Sequence, residues 1–474
     1  MCVALLLALA KVACAVAAYP ALDQIVQQID AGHFKAADAA IAAELASSNR
    51  SADQRRELDF QRERMWRMRQ DFTLSAADAK ARLRREIPDL ADAEFAAWDQ
   101  AGLLENLVID GDKRYFSRAP SNLFRLSAQA RARRAKQTPF NDGPFEQAHP
   151  HHREIRDAAL ASGRNSVAPR QVRISYSITV EPNAVPDGET VRAWLPYPRS
   201  IPGQHENLKL VASVPAKHQI APESTLQRTV YLEQAARKDQ PTKFTIEYEL
   251  TSFGRYFVID PSRVVPPAAH SPEVARHLGE RAPHIVFTDD IRKFSREVVG
   301  DEKNPYRIAQ KLFTAVDRIP WAGAREYSTI TNISDYALHA GHADCGQQTL
   351  LLMTLLRLNG IPARWQSGWI FSDGEYDNMH DWGWVYFAPY GWVPMDVTFG
   401  RLSSGDEQID NFYLGGLDAY RLAFNDDYSQ PLVPAKQHFR SETVDSQRGE
   451  VEWRGGNLYY DRWDYEFEAR VSPN

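Results

Sequence analysis

The spacing of the apolar residues changes near residue 166, and this change places the first helices and the first strands of the fold in separate segments. Before it, apolar residues recur at helical spacing, as over residues 22–29. After it, apolar and polar residues alternate, as over residues 172–180 and 244–250, which is the spacing of half-buried strands. Helices that precede strands, rather than alternate with them, predict an α+β fold.

The far end of the chain carries one more alternating segment. Residues 463–471 place Trp463 and every second residue after it on one apolar face, behind a turn at Gly455-Gly456. No other strand pattern lies beside this segment in the sequence. We therefore predict that it pairs into the β region at 166–260.

The first 18 residues are apolar except for Lys11, and they end in the small residues Ala15-Val16-Ala17. This pattern is typical of a signal peptide and predicts an exported protein, periplasmic or secreted. Cys14 offers a lipid anchor as an alternative, but a charge three positions before the cysteine does not suit that signal. No other segment approaches the ~18 apolar residues that span a bilayer, so no membrane span is predicted.

The charge of the chain argues against two classes of partner. Lys and Arg total 56 against 62 Asp and Glu, a net charge of −6, which gives no overall attraction for nucleic acid or anionic lipid. The basic run at residues 131–136 could contact nucleic acid, but a solvated helix face has the same composition. Nucleic acid is not predicted as a partner, and the oligomeric state is left open.

The cysteines provide the first candidate for chemistry. Of three in the chain, Cys2 and Cys14 lie in the predicted signal peptide, which leaves Cys345 without an intramolecular disulfide partner. A lone thiol in an exported protein is a candidate nucleophile. The alternative is a small buried side chain with no chemical role.

The residues after Cys345 favour the nucleophile. A nearly unbroken apolar run, Leu350–Leu358, predicts a buried helix whose N-terminus points at the thiol. Free backbone N–H groups and the helix dipole are expected to stabilise a thiolate there. Further on, His380 heads an apolar strand and Asp396 lies on the next, the residue types that thiol catalysis requires as base and orienting carboxylate.

This set of residues resembles the transglutaminase-like superfamily of cysteine enzymes. The resemblance covers about 290–425 and rests on the order and spacing of five elements: Cys345 with its helix, the turn and strand Gly360–Arg364, His380, Trp382, and the segment Trp392–Thr398. Asp381 is a departure, since members often carry a small residue after the histidine.

The resemblance implies the fold and the roles of the site residues. It implies a papain-like or transglutaminase-like catalytic core, in which the helix that bears the cysteine packs on an antiparallel sheet, preceded by a β-sandwich-like domain. The N-terminal helical region is predicted from its apolar spacing and has no part in the resemblance. It also implies that Cys345 is the nucleophile, His380 the general base and then acid, and Asp396 the orienting carboxylate. Trp321 is a candidate donor to the oxyanion.

The predicted function is transfer of an acyl group from a protein or peptide amide through a thioester, with no cofactor and no metal. Hydrolysis, as in a peptidase or amidase, is favoured because water is abundant outside the cell. Two alternatives stay open: cross-linking of protein glutamine residues, and a binding module without catalysis that uses the β domain.

Length and composition support a multidomain organisation. The chain has 474 residues, about three domains by length, and is 43% hydrophobic and 25% charged, as folded domains are. The predicted segments are a signal peptide at 1–18, a mainly helical region at 19–165, an antiparallel β domain at 166–270, the transglutaminase-like domain at 271–430 and a C-terminal β extension at 431–474.

Two other clusters have weaker interpretations. A zinc site is conceivable where His339, His342, Asp344 and Cys345 lie close in sequence, although zinc would occupy the nucleophile. Three histidines, at positions 149, 151 and 152, are interpreted as a solvated linker rather than a metal site.

The tryptophans at 365–392 are expected to be mostly core, with one or two lining an acyl-binding cleft. A loop with Asp373, Glu375 and Asp377 is the candidate recognition site for an amine acceptor, and the alternative is a solvated loop.

Overall fold

The computed structural model describes residues 20–266, 271–373 and 376–472. The predicted signal peptide and Glu375 lie outside these residues. The described residues form two compact units. Those up to Ala79, together with Glu105–Ser117, form the first, and Lys80–Leu104 with the chain from Arg118 onwards form the second. None of the helices in these ranges is long and apolar enough to cross a membrane.

The first unit is helical with one hairpin. Its helices are α1 Pro20–Asp30, α2 Phe34–Ala46 and α3 Ala52–Asp71, and its strands are β1 Asn106–Ile109 and β2 Asp112–Tyr115. Their apolar faces meet at fully buried residues such as Ile29, Ile41 and Leu58. Helix α4 Ala76–Glu86 begins in this unit and ends in the second.

The second unit contains the remaining helices that the structure describes. They are α5 Asp92–Gln100, α6 Ala119–Leu126, α7 Ala128–Ala132, α8 Pro150–Ser162, α9 Pro272–Ala275, α10 Asp289–Val299, α11 Pro305–Asp317, α12 Ile333–His339, α13 Cys345–Leu358 and α14 Glu407–Asp410. Helix α11 begins where the Asn304 side chain accepts a hydrogen bond from the Arg307 amide at 3.1 Å, with Pro305 as the first helical residue.

The strands of the second unit fall into three sheets. They are β3 Ser166–Val180, β4 Thr190–Pro196, β5 His205–Val214, β6 His218–Ile220, β7 Thr229–Ala235, β8 Thr242–Tyr256, β9 Ala363–Phe371, β10 Asp377–Phe387, β11 Gly391–Met395, β12 Gly416–Leu417, β13 Arg421–Asn425, β14 Glu450–Trp453, β15 Gly456–Leu458 and β16 Trp463–Ser472.

Two five-stranded sheets form the sandwich-like part. One has the order β12-β8-β3-β16, with β5 also paired to β8, and the other has the order β15-β14-β4-β7-β6. Alternate residues of β3, β4, β7 and β8 bury their apolar side chains in one shared core. The predicted pairing of 463–471 is confirmed, since β16 runs antiparallel to β3 from Trp463 opposite Val180 to Ser472 opposite Gln171.

The third sheet carries the candidate site. It is antiparallel, with the order β11-β10-β9-β13, and α13 packs on β9 and β10. The body of α13 is apolar on every side, and residues such as Leu350, Leu352 and Leu355 are at most 1% exposed. The predicted α+β fold, with a cysteine-bearing helix on an antiparallel sheet, is therefore confirmed. The boundaries of the five predicted segments stay predictions.

A chain that ends at residue 430 should aggregate. Such a truncation removes β14, β15 and β16. Strand β3 in one sandwich sheet and strand β4 in the other then lose a neighbour and become exposed edges. We expect soluble yield to fall sharply and light scattering to rise on refolding. The matched control is a chain that ends after Ser472, which should stay monodisperse; a soluble, well-folded chain ending at 430 would contradict this prediction.

Candidate active site

Cys345 is the first residue of α13, and a capping box fixes its position. The Asp344 carboxylate accepts a hydrogen bond from the Gln347 amide at 3.0 Å, and the Gln347 side chain accepts one from the Asp344 amide at 3.1 Å. Because this box determines where the helix begins, it places the thiol at the helix N-terminus, as the sequence predicts.

Gly346, the residue after Cys345, has no side chain, and this lets two polar groups come close to the start of the helix. A Cβ atom on Gly346 would lie 2.1 Å from the Tyr327 hydroxyl and 2.8 Å from the Asp381 carboxylate. Both of these polar groups can therefore lie directly beside the thiol. Tyr327 is not marked by any pattern in the sequence, and Asp381 is marked there only as a departure from the family.

His380 and Asp396 form a buried pair on neighbouring strands. His380 lies in β10, and Asp396 follows the last residue of β11. The His380 Nε2 and Asp396 Oδ2 atoms are 2.7 Å apart, and the two residues are 3% and 0% exposed. Because Nε2 is engaged by the carboxylate, Nδ1 is the ring nitrogen left to face the cavity.

Asp396 is held ionised by the groups around it. Arg421 donates a hydrogen bond to Oδ2 at 2.6 Å, and the amides of Thr398 and Phe399 donate to Oδ1 at 3.1 Å each. Burial raises the pKa of the carboxyl group, but the charges of His380 and Arg421 and these hydrogen bonds outweigh it and hold the pKa well below its usual range.

Arg421 extends this pair into a longer buried chain. Its Nε donates to Asp418 at 2.7 Å, Asp418 accepts from the Tyr413 hydroxyl at 3.1 Å, and that hydroxyl is 2.9 Å from His152 Nε2. The interpretation of the histidines at 149–152 as a solvated linker is wrong. His151 and His152 are 4% and 0% exposed, because α8 packs its N-terminal turn on this chain.

The thiol of Cys345 is hydrogen-bonded to a carboxylate rather than to the histidine. Its Sγ donates to Asp381 Oδ2 at 3.2 Å, and no hydrogen bond within the described residues joins Sγ to His380. Burial, followed by the nearby charges of Asp381 and Asp344, raises the pKa of the thiol well above its usual value. The Asp344 carboxylate, which caps this end of the helix, works against the expected stabilisation of a thiolate there.

A cavity of about 310 Å³ joins these groups. Its wall includes Cys345, His380 and Trp321, and also residues from outside the catalytic core, such as Arg118 before α6 and Gln447 before β14. The guanidinium carbon of Arg125 lies 4.4 Å from the centre of a Trp321 ring, which fixes that indole at the rim. The role of Trp321 as an oxyanion donor stays a prediction.

The tryptophans of the catalytic sheet are core residues, as expected. Trp365, Trp369, Trp382 and Trp384 are 0%, 2%, 0% and 4% exposed. The cavity wall formed by the described residues contains none of the tryptophans between 365 and 392, so the expectation that one or two line the cleft is wrong. They are instead packed on both faces of the sheet, and the indoles of Trp382 and Trp384 both donate to the Gln366 side chain.

Residues of the remaining candidate clusters, the possible zinc site, the basic run and the acidic loop, have other partners in the structure. His339 Nε2 is 3.1 Å from Asp290, and within the described ranges no three His, Cys, Asp or Glu residues are placed to hold a metal ion. In the basic run, Arg133 and Arg134 form ion pairs with glutamates. Asp373 accepts a hydrogen bond from the Val471 amide at 3.1 Å.

One segment of the chain matches a known protein family. Residues 292–397 match the transglutaminase-like superfamily, and this segment contains Cys345, His380 and Asp396. The chain therefore carries a transglutaminase-like domain. No curated protein matches the chain.

Two solved structures are similar to parts of the chain. A proposed cysteine protease from Cytophaga hutchinsonii has 14% sequence identity and a TM-score of 0.43, and the match covers 65% of this chain and 92% of that one. A proposed protease from Parabacteroides distasonis has 9% identity and a TM-score of 0.21, over 53% of this chain and 48% of that one.

Replacement of Asp344 by asparagine should stabilise the fold at neutral pH. Burial raises the pKa of this carboxyl group to about 6, although hydrogen bonds from Tyr327 and the Gln347 amide act against it. A carboxyl group with a raised pKa in the folded chain destabilises the fold once it must ionise, so the cost develops between about pH 4 and 6 and is complete above. Asparagine keeps the helix cap without the charge.

We expect the free energy of unfolding of the Asp344→Asn variant to rise by about 1 to 3 kcal/mol at pH 7 and to change little at pH 4. Urea unfolding at the two pH values measures this difference. The control is Asp344→Ala, which removes the cap as well and should lose about 1 kcal/mol of that gain. An equal effect of asparagine at both pH values would refute the assignment of the raised pKa.

Proposed function

We propose that the chain is an exported cysteine enzyme that cleaves an amide bond of a protein or peptide through a thioester on Cys345. The observation that carries this proposal is the buried His380–Asp396 pair, 2.7 Å apart, whose histidine lines the same cavity as Cys345. The match of residues 292–397 to the transglutaminase-like superfamily supports it. Export rests on residues 1–18, which lie outside the described residues.

His380 acts as the base in the first half of the reaction. Because the thiol keeps its proton at rest, attack on the substrate carbonyl and transfer of that proton from Sγ to His380 Nδ1 occur together. A new bond forms between sulfur and the carbonyl carbon, and the carbonyl electrons move to oxygen. The tetrahedral intermediate collapses to a thioester as the amine leaves with the proton from Nδ1.

The second half releases the acyl group. Water attacks the thioester carbonyl and gives its proton to Nδ1, the bond between carbon and sulfur breaks, and the sulfur recovers a proton. Asp396 holds the ring in the orientation these transfers need and stabilises its charged form. Backbone N–H groups at the start of α13 and the Trp321 indole are the candidate donors to the oxyanion.

Hydrolysis should dominate over transfer to an amine. A thioester divides between water, present at about 55 M, and an amine that the protein must position to compete. Of the predicted amine site, Asp373 is engaged by the backbone of β16, which leaves little of it free to bind a cation. When a glutaminyl peptide is supplied with millimolar lysine analogue, we expect free acid and ammonia as the main products by mass spectrometry.

The reference for this assay is the same mixture with Cys345→Ala, which should form neither product. Incorporation of the lysine analogue into most of the converted peptide would favour the cross-linking alternative and leave the roles of Cys345 and His380 standing. Conversion at an undiminished rate by Cys345→Ala would overturn the proposed function itself.

A further inference from the structure

We propose that Asp381 holds the Cys345 thiol at rest in a hydrogen bond to its own carboxyl group, in place of one to His380, until a substrate enters the cavity. The inference rests on the proposed function, because it takes Cys345 to be the nucleophile. It assigns to Asp381 a control of the reacting sulfur that the catalytic set of Cys345, His380 and Asp396 does not include.

Hydrogen bonds to both of its carboxylate oxygens hold Asp381 beside the thiol. Its Oδ2 accepts the hydrogen bond from Sγ at 3.2 Å, while its Oδ1 accepts one from Gln447 Nε2 at 3.0 Å. The residue is 2% exposed, so water does not compete for these contacts. The absence of a side chain on Gly346 leaves the space through which the carboxylate reaches the sulfur.

A second buried carboxyl group, that of Asp445, opposes the loss of a proton from Asp381. Asp445 is also 2% exposed, and its Oδ2 accepts a hydrogen bond from the Ser367 hydroxyl at 2.8 Å. Burial and then the charge of Asp445 raise the pKa of Asp381 well above its usual range. Two carboxyl groups that share a buried site retain one proton between them, so the pair still carries one negative charge, and this charge opposes loss of the thiol proton.

The other charged and titratable groups around the thiol do not cancel the negative charge that opposes loss of its proton. The cavity wall presents both signs, and each element packed there contributes. The groups that face the site are Asp344 on the helix cap, His380 on β10, Arg325, Glu326 and Tyr327 before α12, Arg118 before α6, Arg125 on α6, Asp142 and Glu146 before α8, Tyr376 before β10, Glu442, Asp445 and Arg448 before β14, and Tyr460 before β16. Arg448 is paired with Glu326 at 2.9 Å, so its charge is largely offset.

The resting position can be left at small cost. Among the described residues His380 is hydrogen-bonded through Nε2 only, so Nδ1 is free to accept the thiol proton once the thiol leaves Asp381. The net contribution of a single hydrogen bond is small, and substrate binding can readily supply it. A thiol is also oxidised far less readily than a thiolate, which would protect an unpaired cysteine outside the cell.

The test is the rate at which iodoacetamide alkylates Cys345, measured on the full chain by peptide mass spectrometry. Asp381→Asn keeps an acceptor for Gln447 but turns an amide donor toward the sulfur. We expect its rate at pH 7 to exceed that of the unsubstituted protein by about tenfold or more, with the midpoint of the rate's pH profile lower by about one unit or more. Asp381→Ser is the second variant, and its rate should also rise.

Asp445→Asn is the matched control, because it makes the same change one carboxyl group further from the sulfur. Since Asp381 still accepts the thiol hydrogen bond in this variant, its alkylation should be no faster than that of the unsubstituted protein. Rates within threefold of the unsubstituted protein for both folded Asp381 variants, or an equal acceleration by Asp445→Asn, would overturn the inference. The proposed function is judged separately, by the loss of turnover in Cys345→Ala.

Discussion

Replacement of Cys345 by alanine should abolish amide cleavage and leave the fold intact. No other cysteine lies beyond residue 18, so no second thiol can take over. The side chain lines the cavity and contributes one hydrogen bond, to Asp381, so its loss should cost little stability. We expect turnover to fall by at least about 10⁴-fold, as losses of a nucleophile do. The initial rate of peptide cleavage and the thermal unfolding midpoint measure the two effects.

His380→Ala should be nearly as severe, since the thiol then has no base to receive its proton. Asp464→Asn, on the exposed face of β16, is the control and should retain full activity. Activity of Cys345→Ala within tenfold of the unsubstituted protein would contradict the proposed mechanism.

Replacement of Arg421 by glutamine should cost both stability and activity. The guanidinium group is 1% exposed and lies between two buried carboxylates, those of Asp396 and Asp418, at 2.6 and 2.7 Å. Removing the cation leaves these charges uncompensated in the interior, which typically costs about 3 to 5 kcal/mol. Asp396 would also lose the partner that keeps it ionised and oriented toward His380, so turnover should fall with it.

Urea unfolding of the Arg421→Gln and Arg454→Gln variants compares the loss of a buried arginine charge with the loss of an exposed one. Arg454 forms an ion pair with Glu189, but its side chain is 75% exposed, so its loss should cost less than about 1 kcal/mol. If Arg421→Gln loses no more free energy of unfolding than Arg454→Gln, the buried chain from Asp396 to Asp418 does not stabilise the protein as described.

The elements that the sequence predicts well are those with a strong local pattern. The alternation in β3, β8 and β16 marks one apolar face per strand, and a strand with one apolar face must find a sheet to cover it. The register of β16 on β3 is beyond that reasoning, because it depends on contacts between segments nearly 300 residues apart. Helix α13 is predicted for a similar reason, since its apolar run is long enough to be buried.

The candidate site is predicted only in part. The positions of Cys345 at a helix start and of His380 beside Asp396 follow from short motifs. The surroundings of the thiol do not, since Asp381 and Asp445 come from separate segments and only the fold brings them together. One signal was present: Arg421 opens an apolar strand three residues after Asp418, and a charge in such a strand needs a buried partner.

The central claim, that Cys345 forms a thioester, is tested most directly by the intact mass of the protein quenched in acid during turnover of a peptide library. The account predicts an added mass equal to the acyl part of a peptide, located on Cys345, removed by hydroxylamine and absent from Cys345→Ala. Turnover without such an adduct, undiminished in Cys345→Ala, would contradict it.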